Sequence, residues 1–308
     1  MLNKLLFYIV VNPLSKLPLS IIYPLFYFFY LNIYYIFGYR KKVVKANISK
    51  SFPDKNKAEI KRISKQFYIY LSRLLAESIK NLSISKEELT KRLTVKNPEI
   101  MDELYKQGKS VILVSSHYNN WEFLITAQNL LFKHQAVGIG MPMTNKFWDK
   151  KINERRERFG MIVVNANTYK NKLKKLKNTP TATLVLSDQN PSNPNNSYWT
   201  DFLNQTTAFF FGAEIMANQL NAAVVNATIV QKKTGNYEIE LTLITDTPTQ
   251  EEYGYITKTY INLLEKSIKQ NPAYWLWSHK RWKMEVPKNL KQIKIKHKQR
   301  FLERFRNS

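Results

Sequence analysis

From position 17 to 39 the chain reads LPLSIIYPLFYFFYLNIYYIFGY, without a single charged side chain. A bilayer core takes about 20 helical residues. After this run the pattern becomes periodic. Residues 54–80 place apolar side chains at helical spacing, with Asp54 after Pro53 as the N-cap signal. Shorter helices are expected over 86–93 and 98–107. From there strand and helix patterns alternate. VILVSS (111–116), AVGIG (136–140), MIVV (161–164) and TATLVLSD (181–188) read as strands, and 121–132, 145–160 and 168–178 as the helices between them. That alternation predicts an α/β fold, a mixed, largely parallel sheet flanked by helices.

Beyond a Pro/Asn/Ser loop at 188–197, the pattern predicts a helix over 207–221. An antiparallel hairpin follows, 223–231 and 237–244 about a Thr-Gly-Asn turn, and then a long amphipathic helix over 251–271. There is no internal repeat. The expected organisation is an N-terminal membrane anchor over 1–42, one α/β domain over 43–290 and a basic amphipathic tail over 291–308.

The apolar run has three readings. It begins too late, and is too long, for a cleaved signal peptide, and no small-x-small site follows. Pro18, Pro24 and Asn32 interrupt a clean spanning helix, which leaves room for a buried core helix or a helix lying in the interface. Its density of Tyr and Phe favours membrane attachment, spanning or flat. Arg40, Lys41 and Lys42 put the following chain on the cytoplasmic side. The tail, cations mixed with Leu, Ile and Phe, suits anionic headgroups or a solvated end equally.

Charge sharpens this picture. Lys plus Arg is 48 and Asp plus Glu is 23, a net +25. A field of that size calls for an anionic partner: nucleic acid, an anionic membrane, a phosphorylated substrate or an acidic protein. The absence of cysteine excludes disulfides, cysteine-ligated zinc and thiol catalysis. His117, His134, His279 and His297 are too widely spaced for a helical metal site, so no metal is expected.

The candidate chemistry lies in SVILVSSHYNNWEF (110–123), where an apolar strand ends in His117 and Glu122 falls in the first turn of the next helix. Ligands gather at such strand ends. A carboxylate is favoured at a helix N-terminus, and from there Glu122 is expected to turn back onto one ring nitrogen of His117, freeing the other to take a proton. No nucleophile elbow is present, and Ser115 and Ser116 point to opposite faces. The attacking hydroxyl would then come from the substrate. On its own the His-x4-Glu pair is a weak signal, and a satisfied structural histidine fits it too.

The wider set of motifs is more specific. The pair resembles the HxxxxE/D motif of lysophospholipid-type acyltransferases. Nearly the whole chain is similar to the bacterial lipid A late acyltransferases, in six blocks in order: FGYRKKVVKANISKSFPDK (37–55), SSHYNNWE (115–122), MPMTN with RRERFG (141–145 and 155–160), LSDQNP (186–191), FLNQTTAFFFGAEIMAN (202–218) and YWLWSHKRWK (274–283). The sequence departs from that family at Ser187, where proline is usual, at Asn190, where many members have Asp, and at the bulky Phe209–Phe211.

The resemblance implies transfer of a fatty acyl chain from acyl carrier protein to a hydroxyl of a phosphorylated lipid A precursor, without cofactor or covalent acyl-enzyme. His117 would be the general base and Glu122 its orienting partner. Arg156, Arg158, Asp188 and Asn145 would meet substrate. Thr206 and Thr207 read as caps of the next helix, and His279, Lys280 and Arg281 as packing. The implied place is the cytoplasmic side of the bacterial inner membrane, with anionic lipid as a further partner. Oligomeric state is left open. Another polar lipid, such as a lysophospholipid or an amino-lipid, would suit the same chemistry. A non-catalytic scaffold or a nucleic-acid binder would suit the charge, yet no nucleic-acid recognition motif is present and nucleic acid is not expected as a partner.

Overall fold

The computed structural model describes residues 1–166, 176 and 179–306; the helix expected over 168–178 falls outside these but for residue 176. The chain starts with helical residues 2–16 (α1) and Leu19–Phe37 (α2), then Lys41–Ser51 (α3) and Lys57–Lys80 (α4). Asn56, not Asp54, caps α4: its side chain accepts from Ala58 and Glu59 N–H while Glu59 reaches back to the Asn56 N–H. That reciprocal capping box explains why the helix begins at Lys57.

Helices α5 (Lys86–Arg92), α6 (Glu99–Lys106), α7 (Trp121–Leu131) and α8 (Lys146–Glu157) alternate with strands β1 (Leu93–Val95), β2 (Val111–Ser115), β3 (Gln135–Gly140), β4 (Ile162–Asn165) and β5 (Thr181–Leu186). The second half adds β6 (Ser197–Phe202), β7 (Gln205–Phe210), α9 (Gly212–Leu220), β8 (Ala223–Lys233), β9 (Asn236–Thr245), α10 (Tyr255–Gln270) and α11 (Leu290–Phe305). The main sheet runs β1-β9-β8-β2-β5-β3-β4, with only the β8–β9 hairpin antiparallel. Both faces are covered. One cluster holds α4, α9 and α10 side chains, among them Phe67, Met216 and Ile261. The other holds α5–α7, among them Leu89, Leu104 and Phe123. Central β2 is buried at every position, as its apolar run Val111–Val114 requires, and Ser115 at its end donates to Ala227 O at 2.8 Å.

One expectation fails here. Residues 205–210 form a strand, so 207–210 do not start the expected helix, and they pair with β6, to most of which the sequence pattern assigns no element. Aromatic and β-branched TTAFF prefers a pleated surface, and the helix begins only at Gly212. The basic tail forms helix α11, whose residues Ile293, His297 and Phe301 are buried on the body.

The N-terminal helices sit at the carboxyl edge of the parallel strands. Helix α2 packs Leu19 and Ile22 on Ala76 of α4 but leaves Leu25, Phe28, Phe29, Ile36 and Phe37 exposed. It is the one helix among the described residues long and apolar enough to cross a membrane. Phe7 of α1 meets Phe147 and Trp148 of α8, ring centroids 5.7 and 5.8 Å apart.

Candidate active site

The turn after β2 is pinned from every side. The backbone N–H of Asn119 donates to Tyr274 O, and that of Leu276 donates to His117 O. Asn119 adopts φ 53°, a left-handed conformation that Asn tolerates. Its side chain donates to Ile229 O at 2.7 Å while Tyr70 Oη donates to its carbonyl at 2.7 Å. Asn120 caps α7 through Phe123 N–H and donates 2.6 Å to the buried Glu77. His117 is thereby held between β2 and the 274–277 segment.

Its partner is Asp188. Neighbouring parallel strands β2 and β5 end together, and Asp188 Oδ1 lies 2.7 Å from His117 Nδ1. Oδ2 accepts from the His117 backbone N–H at 3.0 Å and from Trp275 Nε1 at 2.8 Å. Burial pushes this carboxyl up, but the neighbouring His117 and these hydrogen bonds outweigh it and hold Asp188 below the ordinary carboxylate range. An ionised carboxylate only accepts, so Nδ1 carries the proton and Nε2 presents its lone pair. Gln189 Nε2 donates to that lone pair at 3.1 Å. The Trp121 ring, centroid 4.9 Å away, walls the imidazole edge-on.

The expected pairing of His117 with Glu122 is therefore corrected. Glu122 lies in the first turn of α7 and faces α8, where Arg155 Nη2 and Arg156 Nη2 grip its two oxygens, the latter at 2.9 Å. Burial pushes Glu122 up, and the two guanidiniums overcome this and bring it down to about 2. Each arginine gives one charge-assisted hydrogen bond to one carboxylate oxygen.

The other expected residues divide. Arg156 lines a cavity of about 490 Å³ beside His117. Arg158 does not: it donates to Leu82 O at 2.9 Å and to Ile84 O, tying α8 to the turn before α5. Asn145 caps α8, accepting from Phe147 and Trp148 N–H at 3.1 and 3.3 Å. Asp188 lies beneath the histidine rather than on the cavity surface. Thr207 accepts from the buried Arg281 at 2.8 Å within β7 and caps nothing. His279 accepts from the Asn190 N–H at 3.2 Å, and burial lowers its pKa to about 4, so it stays neutral and holds the loop after Asp188.

The cavity is lined by apolar Ile125, Met161, Leu184, Leu186 and Met216, and by polar His117, Asp149, Asn153, Arg156, Ser187 and Gln189. Ser187 Oγ is buried and meets no hydrogen-bond partner among the described residues. Such a group is costly unless something else fills its need. Residues beyond the sequence expectations are Arg155, Trp275, Gln189, Ser187 and Met161. The LSDQNP block signals Ser187 and Gln189, and the YWLW motif signals Trp275. Among the described residues no cluster of His, Asp and Glu would hold a metal ion.

Residues 2–284 match the family of bacterial lipid A biosynthesis acyltransferases. No curated protein matches the chain.

Proposed function

The chain belongs to the bacterial lipid A biosynthesis acyltransferase family, and we propose that it moves a fatty acyl chain from an acyl carrier protein thioester to a hydroxyl of a phosphorylated lipid A precursor, with His117 as general base. The observation that carries this reading is the His117–Asp188 pair at 2.7 Å, its imidazole lining a largely apolar cavity of about 490 Å³. An acyl chain fills the apolar part and its thioester carbonyl reaches His117. The acceptor hydroxyl displaces the Gln189 amide from Nε2 and is deprotonated as its oxygen attacks the carbonyl carbon. The C–S bond breaks, and the imidazolium returns the proton to the leaving thiolate. Asp188 fixes the tautomer and steadies the imidazolium, as the carboxylate of a hydrolase triad does. Ser187 Oγ and the Gln189 amide are the donors for the carbonyl oxygen as it gains charge. Arg156, at the cavity wall, is the cation for the phosphate of the acceptor.

The exposed aromatic and aliphatic face of α2, followed by Arg40, Lys41 and Lys42, supports attachment to the cytoplasmic side of the inner membrane. It brings the mouth of the site to the level where a lipid acceptor lies. The direct test offers purified protein carrier- and CoA-bound donors of several chain lengths, with an under-acylated lipid A precursor and a lysophospholipid as acceptors, and reads product by mass. Acylated lipid A precursor is expected; product on the lysophospholipid alone overturns the acceptor.

Cavity shape carries a prediction on chain length. Met161 is buried in the cavity wall, and a Cβ added at Gly138 would stand 2.9 Å from its Sδ. Met161→Ala opens space for further methylenes and will shift donor preference toward longer chains, while Gly138→Ala forces the thioether inward and shifts it toward shorter ones. Each buried methylene is worth about 0.8 kcal/mol, so adjacent even-numbered donors should change rank by about tenfold in kcat/KM. Unchanged rank order in both variants would remove Met161 from the acyl path.

A further inference from the structure

Helix α11 lies beyond the residues that match the family, which end at position 284. Only a narrow stripe of it is used for packing: Ile293, His297 and Phe301 are buried, and His297 and Phe301 sit on the Phe211 ring at centroid distances of 4.8 and 5.7 Å. Arg306 ties its end to the carbonyls of Pro248 and Glu251. Arg300 donates to Asn195 O and to Asn196 Oδ1, the latter at 3.0 Å, in the loop that follows Gln189.

The outward side is cationic. Lys291, Lys294 and Lys298 recur at the i, i+3, i+7 spacing of one helix face, all exposed, with Ile295 exposed beside them. Among the described residues no carboxylate forms an ion pair with any of the three. A stripe of unpaired like charge on a firmly seated helix costs self-repulsion and gives the fold nothing in return.

Its position supplies a use. Phe210 and Gly212 line the cavity, and Phe211 between them is the ring on which α11 rests. The helix is thus one residue layer from the cavity wall. From there it runs toward Pro248 and Glu251, past the β9 end at Thr245, which pairs with Val224 at the start of β8. That end of the helix is at the sheet edge opposite His117, so α11 passes the loop that follows Gln189 at Arg300 and leads away from the lipid-facing end. We propose that the Lys291–Lys294–Lys298 face is where the acidic acyl carrier protein docks to deliver its acyl chain. The inference rests on the carrier-bound donor proposed above. Charge complementarity at such a rim raises the encounter rate more than it adds buried contact.

The test is the triple variant Lys291→Glu, Lys294→Glu, Lys298→Glu, whose changes touch only exposed side chains. It is assayed on acyl carrier protein and CoA thioesters of one acyl length at low and moderate salt, and by flotation on anionic lipid vesicles. Expected is a KM for the carrier thioester raised about tenfold or more at low salt, with kcat and the rate from acyl-CoA kept, and a gap that narrows as salt rises. An unchanged KM for the carrier overturns the proposal. So does loss of vesicle flotation with the carrier KM intact, which would make lipid the occupant, and so does an equal fall with both donors. A wild-type enzyme that takes acyl-CoA and refuses the carrier thioester overturns the donor reading itself, a result seen without the variant.

Discussion

His117→Ala will lower kcat by about 10²- to 10⁴-fold, the range that a positioned general base supplies, and Asp188→Asn will fall in the same range with the histidine still in place. The second loss follows from counting donors around Asp188. Its Oδ2 takes two N–H groups, from the His117 backbone and from Trp275, and its Oδ1 takes the Nδ1 proton. An asparagine there must put its NH₂ somewhere. Facing the two N–H groups it would leave three donors with no acceptor. Facing Nδ1 it leaves a single clash, which the ring relieves by moving its proton to Nε2. The imidazole then has no lone pair for the acceptor hydroxyl. The side chain changes by one atom and its volume is conserved, so the melting temperature and the KM for the acyl donor should stay near wild type while kcat collapses. Asp188→Asn with more than a tenth of wild-type kcat would remove the tautomer argument, and His117→Ala with normal turnover would remove the base.

This dependence on Asp188 was only half legible in the chain. His117 stands out because the four buried apolar positions Val111–Val114 lead up to it through Ser115 and Ser116, and a parallel strand has to end where the apolar run ends. Asp188 ends a second such run, yet nothing local says that the two strands are neighbours. That adjacency is set by the β5–β2 register, which pairs Leu186 with Ser115, across 71 positions of chain between the two side chains. Glu122 was the nearer carboxylate in sequence and so the natural partner to expect. Its helix turns it toward α8 instead, and only the packing of α7 on α8 shows that Arg155 and Arg156 are waiting there. The same limit explains Arg158. It is two positions from Arg156 and so on another side of the same helix, where it holds the carbonyls of Leu82 and Ile84. The β6–β7 hairpin was missed for a different reason. Short polar strands such as SYWTDF carry no core period of their own, and QTTAFF becomes a strand because β6 is there to pair with it.

Glu122→Gln will destabilise the protein, and the lost activity will follow the lost fold rather than a lost base. In the wild type one carboxylate neutralises two guanidiniums, one of which, Arg155, is buried. The amide leaves that charge uncompensated in a site closed to water. Breaking a buried pair in this way costs about 3–5 kcal/mol, enough to take a marginal domain to the edge of unfolding at growth temperature. The pH dependence has a definite sign. The folded-state pKa of Glu122 is about 2, below the ordinary carboxylate value of 4.5. Its contribution is therefore fully present above about 4.5 and is lost as pH falls toward about 2. Wild type should show this acid-side loss, and Glu122→Gln should lack that part of it. The kinetic signature differs from that of Asp188. Measured well below its melting temperature, Glu122→Gln should keep kcat within about tenfold of wild type and the shape of its pH–rate profile, and its larger change should be a raised KM for the phosphorylated acceptor, because Arg156 has lost the carboxylate that orients it. Should Glu122→Gln melt like wild type but lose kcat as deeply as His117→Ala, Glu122 would regain the direct role at the histidine that its contacts with Arg155 and Arg156 argue against.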